Sequence, residues 1–293
     1  MGRLDLTGLG GTDAPLVTRF APSPTGYLHL GHVVNAIYVW GIAHALGARV
    51  LLRLEDHDRI RCRPEFEDAI LEDLDWLGFI SDEGRYPPLR QRDRSERYEA
   101  MLSLLAQAGH VYTCRCSRRH IGSGPYAGTC RHLGLTAHES PALRVEIRPG
   151  SERFDDLLLG PQSQEPSTQS GDLLIRDRDG HWTYQFAVAV DDMDQGITLV
   201  IRGTDLLTST GRQLHLARLL GRETVPVFAH HPLLLNGSGE KLSKSGRATG
   251  IRELRRAGMT PARVIGRAAA LAGLSKKEAE VDAAAVGRFW DRI

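Results

Sequence analysis

The stretch "PLVTRFAPSPTGYLHLGH", residues 15–32, decides the fold. Residues 15–20 suit a short apolar strand. Two prolines, two glycines and two histidines then precede a run in which Val34, Ile37, Tyr38, Ile42 and Ala45 share one face of a helix expected over 28–46. Gly47 is its natural stop, and "RVLLRLED", 49–56, has the length and apolar content of a second strand. Strand, glycine-containing turn, helix and strand make one βαβ unit, so the two strands should pair in parallel.

Working outward, amphipathic helices are expected around "EFEDAILEDLDWLGF" and "SERYEAMLSLLAQAGH", the second opened by a capping box of Asp93 and Glu96. Residues 110–183 then break the rhythm with a cysteine-bearing stretch and short β-like runs. Strand-like apolar patterns resume at "TYQFAVAVDD", "ITLVIRG" and "VPVFAHHPLLL", interleaved with the helical "TSTGRQLHLARLLG". The expected fold class is α/β with a doubly wound parallel sheet, and the ligand crevice should lie between its halves.

The chain has 293 residues, is 41% hydrophobic and carries a formal net charge of +1, so it can bury a sizeable core and shows no global basic field for nucleic acid. No run approaches the length of a membrane span, and the amino-terminal residues lack the pattern of a secretory signal. A cytoplasmic, monomeric protein is expected. Three of the four cysteines, Cys114, Cys116 and Cys130, crowd together, which points to metal.

In "TGYLHLGH", Gly26 and Gly31 stand at a strand-to-helix junction, where free backbone N–H groups and the helix dipole favour an anion. His29 and His32 share a face of the first turn and can direct hydrogen bonds at charge developing on a phosphate. An ordinary turn with surface histidines, or a zinc-binding histidine pair, would explain this segment alone. Neither explains "EKLSKS", 240–245, where Lys241 and Lys244 in a loop led by "NGSG" suit the clamping of a triphosphate.

Together, "HLGH" after "RFAPSPTG" and "KLSKS" some two hundred residues later resemble the HIGH and KMSKS signatures of class I aminoacyl-tRNA synthetases. With "LRLEDHD", "YQFAVAVDD", "VIRGTDLLTST" and "LLLNGSGEKLSKS", the resemblance over about 16–246 is to the glutamyl branch. It implies ATP-dependent activation of L-glutamate, Mg²⁺ accompanying the ATP, and transfer to an RNA. It also implies a Rossmann catalytic domain in two halves (13–109 and 184–235), an inserted zinc-bearing α+β acceptor-binding subdomain (110–183), and the KMSKS-like loop with a short helical tail (236–293).

On that resemblance, Arg19, Phe20, Ala21, Pro22, Ser23, Glu55, Tyr184 and Arg202 bind glutamate. The arginines and Tyr184 would meet its carboxylates and Glu55 its ammonium. His29, Gly31, His32 and Lys244 meet ATP, and His29, His32, Lys241 and Lys244 are catalytic. The cysteine spacing itself lets three thiolates converge on Zn²⁺ and leaves His120, His132 and Tyr126 open as a fourth ligand. Similarity to the short glutamyl-synthetase paralogues implies Tyr126.

A full glutamyl-tRNA synthetase continues into a helical anticodon-reading domain, whereas about forty-eight residues follow Ser245 here. The chain therefore resembles the glutamyl-queuosine tRNA(Asp) synthetases, truncated paralogues that attach glutamate to the queuosine base of tRNA(Asp). The competing expectations are a compact glutamyl-tRNA synthetase charging a 3′ end and a catalytically silent RNA-binding paralogue.

Overall fold

The structure is a computed structural model that describes residues 4, 15–122, 124–136, 142–234 and 250–290. The first half runs β1 (Val17–Phe20), α1 (Leu30–Leu46), β2 (Arg49–Leu54), α2 (Pro64–Leu77), β3 (Leu89–Arg90) and α3 (Ser95–Gln107). The middle comprises β4 (Val111–Thr113), α4 (Arg118–Ile121), β5 (Leu143–Val145), β6 (Glu152–Phe154), β7 (Gln162–Gln164), α5 (Pro166–Gln169) and β8 (Leu173–Arg176). There follow α6 (Tyr184–Asp194), β9 (Leu199–Gly203), α7 (Thr210–Leu219), β10 (Val227–His231), α8 (Ile251–Arg256) and α9 (Pro261–Leu271).

Strands β1, β2 and β3 pair in parallel, as do β9 and β10. The two ladders meet where Thr198 donates its N–H to Val17 O at 3.0 Å and Val17 donates to Thr198 Oγ1 at 2.9 Å. The resulting order, β3-β2-β1-β9-β10, reverses direction between β1 and β9. In an open parallel sheet the carboxyl ends of strands at such a reversal diverge and leave a crevice.

Helix α1 is buried along most of its length, because the sheet covers one side and the C-terminal segment the other. Trp290 seats on Gly41, where a Cβ would fall 2.0 Å from its ring, so the residues after 250 share the core of the first βαβ unit. Strands β4, β5 and β8 form a separate antiparallel sheet. The hairpin of β6 and β7 instead leads back to the parallel sheet, where Asp156 bridges Phe228 of β10.

Two local expectations are corrected. "TYQFAVAVDD" is helix α6, not a strand; a short run that is apolar on every side carries no period to tell the two apart, and residues 186–192 are buried throughout. Asp93 lies in a 3₁₀ turn over Gln91–Arg94, and α3 begins without a side-chain cap. Asp93 is therefore one residue too early to cap. Among the described residues, no helix is long and apolar enough to cross a membrane.

Candidate active site

The capping box of this chain is at α1. His29 is the N-cap in extended conformation, its Nδ1 accepting from the Gly31 N–H at 3.0 Å, while Nδ1 of His32 accepts from the His29 N–H at 3.1 Å. This arrangement fixes the tautomers. With each Nδ1 acting as acceptor, a neutral ring must carry its proton on Nε2, so both imidazoles have one N–H left to donate. Desolvation lowers the pKa of His29, and desolvation followed by the neighbouring His29 lowers that of His32 to about 3, which keeps both rings neutral. Gly31 leaves room for the His29 ring, because a Cβ there would lie 2.8 Å from His29 Cε1 and push the imidazole from its place. Gly26 has ordinary φ and open space within 4 Å.

The crevice beside this helix start is a cavity of about 550 Å³. Strand β1 and its exit contribute Phe20, Ala21, Pro22 and Ser23; the N-cap and first turn of α1 contribute His29, Gly31 and His32; Glu55 and Tyr184 line it as well. Ser23 donates its hydroxyl to Glu55 O at 2.8 Å, so its oxygen is left as an acceptor, and Glu55 N donates to Pro22 O at 3.0 Å, tying the two strand exits together. Gly250, shortly beyond Ser245, forms a β-bridge with His29. Lys241 and Lys244 lie outside the described residues.

Arg19 and Arg202 are not among the described residues that line the cavity; both are buried behind its wall, and their surroundings differ. Arg19 Nε donates to both oxygens of Asp192, at 3.1 and 3.2 Å. Asp192 also accepts from Arg53 Nη1 at 2.8 Å, and Arg53 Nη2 donates to Glu55 at 3.1 Å. Although desolvation opposes it, the two guanidinium groups hold the Asp192 pKa at about 2. Arg202 instead donates to His230 Nε2 at 3.1 Å, Gln213 Oε1 at 2.7 Å and Thr210 Oγ1 at 2.9 Å, all neutral acceptors. Among the described residues no carboxylate touches it. A buried cation without a counter-ion invites an anionic ligand, whereas Arg19 already has one.

Sequence reading missed Arg53, Asp192, His230, Thr210 and Gln213. For Arg53 a signal existed: a lone charge inside the apolar run "VLLRLE" must be paired if the strand is buried. For the others, partners sit on different elements and leave no local mark.

The three cysteines do converge, with their sulfurs within 4.8 Å of one another. Cys116 and Cys130 are 3.5 Å apart, and the Tyr126 hydroxyl lies 3.4 Å from Cys114 Sγ and 3.6 Å from Cys116 Sγ. A tetrahedron with metal–sulfur bonds of about 2.3 Å has edges of about 3.8 Å, so this donor set fits zinc. His120 and His132 are exposed and absent from the cluster. Arg144 donates to Cys114 Sγ at 3.3 Å and stacks 4.0 Å over the Tyr126 ring, which brings one positive charge against the cluster. Gly171 at φ +64° completes the support, since a Cβ would meet Tyr126 O at 2.0 Å.

A nucleotide-type crevice at the reversal of a parallel sheet, faced by neutral histidine donors, agrees with what family comparison finds. Residues 15–282 match the model for the catalytic domain of class I tRNA synthetases (E and Q). The chain belongs to this family. Within it, the synthetase is 41% identical to the glutamyl-Q tRNA(Asp) synthetase of Nitratidesulfovibrio vulgaris, over 87% of this chain and 86% of that one. With its counterpart in Cupriavidus metallidurans it shares 44% identity over 78% and 77% of the two chains. The fold superimposes on a glutamate-tRNA synthetase from Elizabethkingia anophelis with a TM-score of 0.76 at 26% identity, covering 94% of this chain. This chain spans 65% of the length of that enzyme.

Proposed function

We propose that the synthetase activates L-glutamate with ATP, supplied as its Mg²⁺ complex, and transfers the glutamyl group to the queuosine base of tRNA(Asp). The observation that carries the chemistry is the tautomer-fixed pair His29 and His32 beside a cavity backed by the carboxylate-free Arg202. The acceptor is supported by the glutamyl-Q tRNA(Asp) synthetases to which the chain is similar.

In the first step a carboxylate oxygen of glutamate attacks the α-phosphorus, the bond to the bridging oxygen breaks and pyrophosphate leaves. The Nε2–H groups of His29 and His32 donate to phosphate oxygens as charge builds on them. Arg202 and Tyr184 meet the side-chain carboxylate, and Glu55, with the Ser23 oxygen, meets the ammonium. Lys241 and Lys244 serve the leaving pyrophosphate in this reading, on sequence grounds alone. In the second step an acceptor hydroxyl attacks the acyl carbon and AMP leaves. Residues 13–109 and 184–235 act as the catalytic halves, 110–183 as the acceptor-binding insertion and 236–293 as loop and tail.

ATP–pyrophosphate exchange tests the activation step; no glutamate-dependent exchange, with or without tRNA, overturns it. Glutamylation of tRNA(Asp) with and without queuosine tests the acceptor. Charging of queuosine-free tRNA at its 3′ end would favour the compact glutamyl-tRNA synthetase suggested by the structural likeness to that enzyme.

Cys114, Cys116, Tyr126 and Cys130 would hold one zinc ion that organises the loop between β4 and β5 without an open coordination position. Elemental analysis should find about one zinc per chain. Cys130→Ser should lose it and lower the melting temperature by several degrees, while His120→Ala and His132→Ala keep it. Metal-free protein with unchanged melting would end the assignment.

A further inference from the structure

Arg202 is held on its Nε side by a buried chain that the reaction itself does not use. Arginine has only donors, so the 3.1 Å contact from Arg202 Nε requires His230 Nε2 to accept, which places the ring proton on Nδ1. That Nδ1–H points at Asp156 Oδ2, 2.5 Å away. Asp156 is fixed in turn: its carboxylate accepts the backbone N–H groups of His230, Leu158 and Leu159. All three side chains are buried, His230 and Asp156 almost completely. They come from β9, β10 and the turn after β6, so only the tertiary fold assembles them.

We infer that Asp156 and His230 are positioning residues that hold Arg202 toward the substrate carboxylate while keeping its charge unneutralised. The inference rests on the glutamate-binding reading of Arg202. Its logic is the distance at which the carboxylate is kept. Asp156 in direct contact with the guanidinium would form a closed ion pair, as Asp192 does with Arg19, and compete with the substrate. One imidazole away, it fixes the ring's tautomer and orientation and leaves the cation to the ligand. Thr210 and Gln213 follow the same rule, orienting the terminal nitrogens through neutral oxygens.

The test is glutamate activation kinetics by ATP–pyrophosphate exchange, with tRNA present, for His230→Leu, His230→Gln, Asp156→Asn and Arg202→Ala. His230→Leu should raise KM for glutamate about 10- to 100-fold, the scale of a lost hydrogen bond to a charged group, and leave KM for ATP within about twofold. Glutamine places a neutral acceptor near the position of Nε2, so His230→Gln should recover most of the loss. Asp156→Asn should fall between them.

Adding Arg202→Ala to His230→Leu should bring little further loss beyond Arg202→Ala alone, because both act through one group. A normal KM for glutamate in Arg202→Ala overturns the reading of Arg202. A raised KM there, with a normal one in His230→Leu, overturns the positioning role alone. Equal rises in KM for both substrates, or His230→Gln no better than His230→Leu, would mark the chain as structural support and overturn it too. Circular dichroism and the retained KM for ATP show that each variant is folded.

Discussion

Replacing His32 by asparagine should slow glutamyl-adenylate formation by about 10²- to 10³-fold, the cost of removing one preorganised donor to transition-state charge. The same change should leave thermal stability nearly untouched. Asparagine Oδ1 occupies roughly the place of imidazole Nδ1, so it can still accept from the His29 N–H and keep the capping box that His32 Nδ1 makes at 3.1 Å. What it lacks is a donor at the position of Nε2. Glutamine at the same site does the reverse: its amide reaches the Nε2 position, while the cap is lost at about 1 kcal/mol. His32→Gln should thus be less stable and more active than His32→Asn. Single-turnover adenylate formation and urea titration of the two variants check this, and matching losses in both measurements would mean that His32 serves only the helix.

Arg53→Met should destabilise the fold by about 3–5 kcal/mol at pH 7, because it takes from buried Glu55 the guanidinium that contacts it and leaves Asp192 with one of its two, Arg19. Arg53 is fully buried, with Asp192 at 2.8 Å, Glu55 at 3.1 Å and Asp191 at 3.9 Å. The sign of the pH dependence follows from Asp192, whose folded pKa of about 2 lies below its ordinary value of 3.8. A depressed carboxylate pKa stabilises above the unfolded value, so this contribution, about 2 kcal/mol, is present above pH 4 and lost as pH falls towards 2. Arg53→Met should therefore differ most from the parent at neutral pH and converge with it in acid. A urea midpoint at pH 7 shifted by less than the equivalent of about 1 kcal/mol would show that the network is dispensable.

The opening βαβ unit was readable because its evidence is local. Apolar periodicity, Gly47 at φ +65° and the length of "RVLLRL" each act within a few residues. Helix α6 lacks such a local signal for the converse reason: buried on nearly all sides, it has no polar stripe to reveal its period. The cysteine cluster was legible in spacing, but that the Tyr126 hydroxyl lies beside it while His120 and His132 stay exposed is visible only in the fold.

By itself the sequence determined the doubly wound α/β class, the placing of His29 and His32 at a helix start, and membership of a phosphate-handling family, because motif spacing and periodicity are one-dimensional properties. Tertiary structure alone decided which nitrogen of each histidine accepts at the helix start, and which of the two buried arginines meets a carboxylate. Arg19 and Arg202 look alike in sequence, each at the end of a parallel strand. They part company because α6 turns Asp192 onto Arg19, whereas β10 sets His230 between Arg202 and Asp156. Charge neutralisation falls off with distance and depends on partners more than twenty residues away, information that no local pattern contains.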